Sequence, residues 1–227
     1  MKKIAIIMPT RSAGGVRNAA AMAAFSSWQK TTSGHSDFYY GLDTDDYQMY
    51  TVPAGARTTI NERLRLVPKL NKMAEQLQDA YEYLFFIGDD HRFMTDGWED
   101  RFLSDASSMG GIAIMYGNDM LQGAALPTAV FMSTAITRAL GFMAPGCIQH
   151  MYADNFWKDL GDALGILKYY PDIIVEHLHF SVKKSKPDAQ YREVAALHRS
   201  DEAAYKQYLK TNFAADIERV RQQCGLP

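Results

Sequence analysis

The sequence has few cysteines, and their placement excludes two classes of protein. Cys147 and Cys224 are the two present among 227 residues. They are far apart and lack the close spacing of paired metal ligands, which argues against a disulfide framework and against a zinc knuckle. We therefore expect the protein to work in a reducing cytoplasm.

The sequence also lacks a long apolar run. The run between Lys3 and Pro9 imitates a signal peptide, but it is shorter than the roughly 7 to 15 residues of a signal-peptide core. No other run approaches the roughly 18 to 20 residues that cross a bilayer. We therefore expect a first strand here and no membrane partner.

The sequence also lacks a large excess of charge of either sign. The formal net charge of −2 is spread through the chain, which excludes a global basic field for nucleic acid or membrane surfaces. A local basic patch stays open, because Lys183, Lys184, Lys186 and Arg192 lie in one polar segment. We predict that this segment, residues 181–192, is a mobile loop over the site.

What the chain does have is a repeating apolar pattern. Hydrophobic residues make up 47% of it, enough for the core of one domain. The first half alternates between strands at 3–8, 37–42, 47–52 and 81–87 and helices at 16–29, 58–78 and 96–106. Pro68 marks either the first turn of a new helix or a kink. The alternation predicts a parallel sheet flanked by helices, with the strand-end loops along one rim.

The second half is less regular. Its patterns predict short strands within 110–134, a brief helix to Leu140, an amphipathic helix at 151–164, a strand pair at 167–180 broken at Pro171, and a long closing helix at 201–224.

Two adjacent carboxylates follow the most apolar strand. Asp89 and Asp90 stand at its carboxyl end, where open α/β sheets bind ligands, and oxygen ligands suit Mg2+ or Mn2+ that bridges substrate phosphates. Asp before a turn also caps helices, so a capping role is the alternative.

The order of the polar motifs resembles that of the GT-A glycosyltransferases, and most closely that of family 2-like members. These motifs are Pro9-Thr10-Arg11, an acid after the second strand, Lys69-Leu70-Asn71, Gly88-Asp89-Asp90 with Gly97-Trp98, Asp154-Asn155 and His177-Leu178-His179. The compact arrangement of the GDDH, GW and HLH motifs resembles that of the small glycosyltransferases encoded by bacteriophages. This resemblance would place the protein in a host cytoplasm. The resemblance implies a single Rossmann-like GT-A domain over 1–227 with a mostly parallel central sheet. Its parts would be a nucleotide-sugar half at 1–110, an acceptor half at 111–200 and a C-terminal helix at 200–227.

The resemblance implies a Mn2+ or Mg2+ cofactor that neutralises the donor diphosphate. It assigns metal binding to Asp90, His177 and His179, and a ribose or second metal contact to Asp89. His177 and His179 share one face of a strand, and each is alternatively a hydrogen-bonded core histidine. His91 is either a third neighbour or structural.

The resemblance also assigns the donor and acceptor contacts. Thr10, Arg11 and Asp43 would hold the base and ribose, Lys69 would meet phosphate, and Asn71 would bond sugar or ribose hydroxyls. The alternatives are a solvated acidic loop and an ordinary polar helix face. Asp154 would be the catalytic base on the acceptor side, with inversion of configuration, or else a helix cap.

The expected activity is therefore metal-dependent transfer of a sugar from a nucleoside diphosphate sugar to a hydroxyl acceptor. The bacteriophage resemblance implies a hydroxymethylated pyrimidine in DNA as acceptor, with the basic segment 181–192 on its phosphates. Two alternatives stay open. One is a nucleotidyltransferase acting on a sugar phosphate, which the RSAGGVR loop at 11–17 partly fits, and the other is a non-catalytic nucleotide-sugar-binding protein.

Overall fold

The computed structural model describes residues 2–179 and 189–227, with side chains in the second range from residue 196 onward. The strands in this part of the chain are β1 (Ile4–Pro9), β2 (Ser36–Asp43), β3 (Arg57–Asn61), β4 (Tyr83–Phe86), β5 (His91–Phe93), β6 (Ile114–Asn118), β7 (Val130–Ser133) and β8 (Leu167–His177). The helices are α1 (Asn18–Thr31), α2 (Leu66–Leu77), α3 (Trp98–Ser108), α4 (Thr134–Leu140), α5 (Ala153–Leu164), α6 (Ala189–Thr211) and α7 (Phe213–Cys224).

The strands form one mixed sheet in the order β3-β2-β1-β4-β7-β6-β8-β5. Its first half, from β3 to β4, is parallel, as the alternation predicts. The prediction of a mostly parallel sheet holds only in part, because β7 runs antiparallel to both β4 and β6, and β5 runs antiparallel to β8. Antiparallel neighbours need no helical crossover, so the short loops of the second half allow this arrangement.

The third strand is not where the sequence pattern puts it. The predicted strand at 47–52 contains a short 3-10 helix, Tyr47–Met49, while β3 lies at Arg57–Asn61 and takes residues predicted as helix. β3 is an edge strand with mostly exposed side chains, so it lacks the apolar signature of a buried strand. Pro68 lies in the first turn of α2, which resolves the two alternatives for that residue.

Two further expectations in the second half were wrong. β8 is one continuous strand through Pro171, and its register against β6 shifts between Gly117 and Asn118, so the missing N–H of Pro171 falls where the ladder is already irregular. The closing helix divides at Asn212 into α6 and α7. Of the predicted loop at 181–192, residues 181–188 lie outside the described residues, and α6 begins at Ala189.

Helices cover both faces of the sheet. One apolar cluster joins the sheet to α2, α4, α5, α6 and α7, and a second joins the other face to α1 and α3. The central strands are consequently buried on both faces, as a covered sheet requires. Within the described residues, no helix is long and apolar enough to span a membrane.

Candidate functional site

The carboxyl ends of β1 and β4 meet at one edge of the sheet. These strands pair in parallel with Ile7 opposite Phe86, so the residues that follow them become neighbours. The Thr10 hydroxyl donates to Oδ2 of Asp89 at 2.7 Å, and both side chains are buried. The structure therefore brings together two predicted donor residues that are far apart in sequence.

A cavity of about 840 Å³ opens beside this edge. It lies between the ends of β1 and β4, the loop after β6, the start of α5 and the end of β8. Its polar lining residues include Thr10, Arg17, Asp89, Asp90, His91, Gln122, Thr128, His150, Asp154, Asn155, His177, His179 and His198. The predicted catalytic base and all predicted metal ligands thus share one cavity.

Asp90 faces two histidines. Nδ1 of His91 lies 3.4 Å from its Oδ1, and Nε2 of His177 lies 3.4 Å from its Oδ2. The antiparallel pairing of β5 with β8 sets His91 opposite His177, and the two rings stack with centroids 4.2 Å apart. One potential ligand atom from each of the three residues lies within 4.8 Å of the others.

The residue types of this cluster, and one histidine nitrogen in it that has no hydrogen-bond partner in the described part of the chain, fit a divalent cation. A carboxylate with imidazoles is a ligand set that suits Mn2+ and related ions. Nδ1 of His177 is buried and has no hydrogen-bond partner among the described residues, although Oδ2 of Asp119 lies 4.0 Å away. Burial opposes ionisation of Asp90, but Nε2 of His177 and the neighbouring ring of His91 hold the pKa of Asp90 well below its ordinary value. Asp90 is therefore ready to act as an anionic ligand.

Gly88 is required by the close approach of Asp90. A Cβ on Gly88 would lie 2.6 Å from Oδ1 of Asp90, too close for two non-bonded atoms. The Gly88 N–H also donates to Nδ1 of His91 at 3.1 Å. This bond fixes the His91 ring behind the carboxylate.

His179 occupies a different position from the one the sequence predicts. It lines the cavity, and its ring centroid lies 5.2 Å from that of His177, but its nitrogens are not in the cluster around Asp90, where His91 lies instead. The spacing of the His-Leu-His motif carries no information about His91, which strand pairing sets opposite His177. His91 was visible in the sequence only as a neighbour of Asp90.

Asp89 is held by two partners. Besides the Thr10 hydroxyl, it accepts a hydrogen bond from Nη1 of Arg17 at 2.8 Å through Oδ1. Burial raises the pKa of Asp89, Arg17 opposes this shift and Asp90 adds to it, and together they place the pKa at about 6. Asp89 thus links the end of β4 to the loop before α1.

Arg11, Asp43 and Lys69 form a charged cluster beside the cavity. Nη1 of Arg11 lies 3.0 Å from Oδ2 of Asp43, and Nζ of Lys69 lies 2.6 Å from its Oδ1. Lys69 is 3% exposed and also donates to the Thr10 carbonyl at 3.2 Å. The structure therefore places the Lys69 ammonium on Asp43, and not at the predicted phosphate position in the cavity. This pairing also balances the acidic group Asp43, Asp45 and Asp46, whose oxygens lie close together.

Asn71 lies outside the cavity. Its amide donates to the Ala144 carbonyl at 2.8 Å and accepts from the N–H groups of Met143 and Ala144 at 2.9 and 3.0 Å. The predicted contact with sugar or ribose hydroxyls does not match this placement, since the side chain is occupied by backbone groups. Asn71 instead fixes the chain after α4.

Asp154 lies in the first turn of α5 and lines the cavity. Burial raises its pKa above the ordinary value, which makes the carboxylate a better proton acceptor near neutrality. Its Oδ1 accepts the N–H of Asn155 at 3.0 Å. Tyr152, in a left-handed conformation with φ 70°, is the N-cap residue of α5, so Asp154 is not the cap itself.

Two buried aspartates that sequence reasoning missed shape the walls of the cavity. Oδ1 of Asp119 accepts three N–H groups from residues 121–123, and Oδ2 accepts the Thr128 hydroxyl at 2.7 Å. Asp201 on α6 accepts the N–H groups of residues 149–151 at 2.9 to 3.1 Å. An Asp directly after a strand signals such a turn, whereas Asp201 acts from some fifty positions away in the chain and gives no local signal.

No model of a protein family matches the sequence, and no curated protein matches it. Solved structures match by fold. S. aureus TarS in complex with UDP has a TM-score of 0.53 at 11% identity, over 76% of this chain and 59% of that one. Glucosyl-3-phosphoglycerate synthase from Mycobacterium tuberculosis, in complex with Mn2+, UDP and phosphoglyceric acid, has a TM-score of 0.55 at 14% identity, over 100% of this chain and 80% of that one. Rv0371C from Mycobacterium tuberculosis H37Rv, in complex with manganese, has a TM-score of 0.52 at 12% identity, over 85% of this chain and 97% of that one.

The chain has the fold of the GT-A glycosyltransferases. It spans 59% of the TarS chain solved with UDP and 36% of a longer TarS chain. At these identities the likeness establishes the fold alone, so the chemistry has to be argued from the cavity.

Proposed function

We propose that this protein is a metal-dependent glycosyltransferase that moves a sugar from a nucleoside diphosphate sugar to a hydroxyl acceptor. The observation that carries the proposal is the placement of Asp154 in the same cavity as the cluster of Asp90, His91 and His177. A ligand set for a cation and a carboxylate with a raised pKa are the two groups that displacement at an anomeric carbon needs.

Asp90 and His177 would hold the metal, with His91 packed behind them. The metal, when bound, would neutralise the diphosphate as it becomes the leaving group. The complexes of related folds support the choice of ion, since glucosyl-3-phosphoglycerate synthase is seen with Mn2+ or Mg2+ together with UDP. The proposed cofactor is therefore Mn2+ or Mg2+.

Thr10 and Asp89 would contact the nucleotide where the ends of β1 and β4 meet. Arg11 follows Thr10 in the chain and pairs with Asp43 at the end of β2. This pair would form the wall of the site beside the base. Lys69 supports this region by neutralising Asp43. The TarS complexes with UDP and UDP-GlcNAc support a nucleotide-sugar donor for this fold.

Asp154 would act as the general base. Its carboxylate takes the proton of the acceptor hydroxyl as the acceptor oxygen bonds to the anomeric carbon. The bond from that carbon to the phosphate oxygen breaks, and its electron pair remains on the nucleoside diphosphate. Attack from the face opposite the leaving group inverts the configuration.

The acceptor that we propose to test first is a hydroxymethylated pyrimidine in DNA. Aromatic residues support a ring-shaped acceptor, since Phe86, Tyr152 and Trp157 line the cavity near Asp154. The lysines expected on DNA phosphates lie at 183, 184 and 186, outside the described residues.

We place the activity in the cytoplasm, which the two free cysteines support.

A thermal-shift screen of nucleoside diphosphate sugars, with Mn2+ and with EDTA, tests the donor site. A ligand that binds only the folded protein raises its melting temperature. We expect a metal-dependent shift for one or two donors, loss of that shift in Asp90→Asn, and its retention in Asp154→Asn. Asp100→Asn, an exposed change beside His35, is the control. A retained shift in Asp90→Asn, or a lost shift in Asp154→Asn, would contradict the residue roles.

A further inference from the structure

The cavity has one permanent positive charge among its described lining residues. Arg17 is the only arginine or lysine in that set, whereas Asp89, Asp90 and Asp154 contribute carboxylates. A nucleoside diphosphate would bring more negative charge into this acidic cavity. Binding it therefore calls for a cation in addition to the metal.

Arg17 is built into the wall of the cavity. Its side chain is 13% exposed, and Nη1 lies 2.8 Å from Oδ1 of Asp89. A guanidinium carries five N–H donors in a rigid fork, so it can bond a carboxylate and a phosphate at the same time. The bond to Asp89 orients the group beside the residues that follow β4.

The loop that carries Arg17 leaves room at the end of β1. Gly14 and Gly15 have φ values of +73° and +91°, and a Cβ on either would meet no atom within 4 Å. The loop is tied down by the Ser12 N–H, which donates to Oδ2 of Asp46 at 2.8 Å, and by the Arg17 N–H, which donates to the Ser12 carbonyl at 3.1 Å. Arg17 is thus placed by backbone contacts as well as by Asp89.

We propose that Arg17 binds the diphosphate of the donor, oriented for that contact by Asp89. The inference rests on the proposed function and assigns to Arg17 the phosphate contact that the family resemblance implied for Lys69, whose ammonium is buried against Asp43. The competing explanation is that Arg17 only joins the loop to β4 through its ion pair with Asp89. The two explanations differ in how Arg17 should affect ligands with one phosphate and with two.

The test is isothermal titration calorimetry in Mn2+ with nucleoside diphosphates and matched monophosphates of the five common bases. The metal is present for every protein, so a difference between variants reports on the substituted residue. The variants are Arg17→Gln, which removes the charge, and Arg17→Lys, which keeps the charge without the guanidinium fork. Arg57→Gln is the matched control, because Arg57 pairs with Asp37 and does not line the cavity.

We expect the unmodified protein to prefer the diphosphate of its nucleotide. Arg17→Gln should reduce that preference by about tenfold or more, a typical effect of losing a charge-assisted bond, while Arg17→Lys keeps part of it. Arg57→Gln should keep the preference.

Two results would overturn the inference. A wild-type preference in Arg17→Gln, or an equal loss in Arg57→Gln, would contradict a phosphate role for Arg17 and leave the proposed function standing. Failure of the unmodified protein to bind any of these nucleotides with Mn2+ would overturn the proposed function together with this inference.

Discussion

Nε2 of His177 lies 3.4 Å from Oδ2 of Asp90, across the antiparallel pair of β5 and β8. This relationship separates the two late histidines, since His179 lies further along the chain and outside the cluster. Strand pairing, and not spacing within the His-Leu-His motif, therefore decides which imidazole meets the carboxylate.

The first prediction concerns metal binding by the two histidines. His177→Ala should weaken Mn2+ binding by about tenfold or more, because it removes a ligand that faces Asp90. His179→Ala should change the affinity by less than about threefold. Titration of Mn2+ followed by electron paramagnetic resonance measures both affinities, and a larger loss in His179→Ala than in His177→Ala would contradict this separation of the two histidines.

The second prediction concerns the cost of keeping Asp154 ionised. Burial raises its pKa in the folded protein, so ionisation at pH 7 is less favourable in the folded state than in the unfolded state. Asp154→Asn should therefore raise the melting temperature at pH 7 while reducing transfer by about 100-fold or more. Because the carboxyl is protonated in both states at low pH, the stability gain should shrink as the pH falls through the raised pKa. A lower melting temperature together with normal transfer would contradict both the cost of the buried charge and the role of Asp154 as the base.

The third prediction concerns His150, a cavity residue whose pKa burial lowers from 6.5 to about 4. Asp201 and Asp90 partly oppose this shift, whereas Arg17 and Arg65 add to it. The unfolded chain binds the proton more tightly, so stability should be lost as the pH falls from about 6.5 towards 4. His150→Gln should lose about 1–2 kcal/mol less than the unmodified protein between pH 7 and pH 5. Urea unfolding at the two pH values measures this, and an unchanged difference would show that His150 does not titrate in that range.

The fourth prediction concerns Asp201, which holds the loop leading to α5. Asp201→Ala should leave three N–H groups without their acceptor, cost about 1–3 kcal/mol in unfolding free energy and let Asp154 shift. We expect a fall in kcat of about tenfold to 100-fold with donor affinity unchanged. Asp216→Ala is the control, because Asp216 is equally buried but bonds Tyr208 and Arg219 elsewhere. Equal kcat values in the two variants would reduce Asp201 to a stabilising role.

Local sequence patterns predicted the fold where buried strands alternate with helices. β1, β2 and β4 are apolar and central, so their patterns are clear, and Asp89 and Asp90 follow from the end of β4. β3 was missed because an edge strand carries exposed side chains, and the continuity of β8 was missed because Pro171 suggested a break. In both cases the position within the sheet overrode the local signal.

The cavity was predictable only in part, because several of its contacts join distant segments. Thr10, Asp89, Asp90, Asp154 and His177 were found from motif order, and the structure brings them to one cavity. The roles of Lys69 and Asn71 depend on partners that become neighbours only in the folded chain, which are Asp43 and the backbone at 143–144. Helix position alone cannot reveal such partners.

The most direct test of the central claim is to identify the products of two sets of reactions with Mn2+. The first set combines nucleoside diphosphate sugars with hydroxymethylated DNA, glycans or water as acceptor, and the second combines nucleoside triphosphates with sugar phosphates. We predict release of a nucleoside diphosphate with transfer of the sugar, abolished in Asp154→Asn and by EDTA. Release of pyrophosphate from a nucleoside triphosphate and a sugar phosphate, with no nucleoside diphosphate released from any donor, would contradict the account and identify a nucleotidyltransferase.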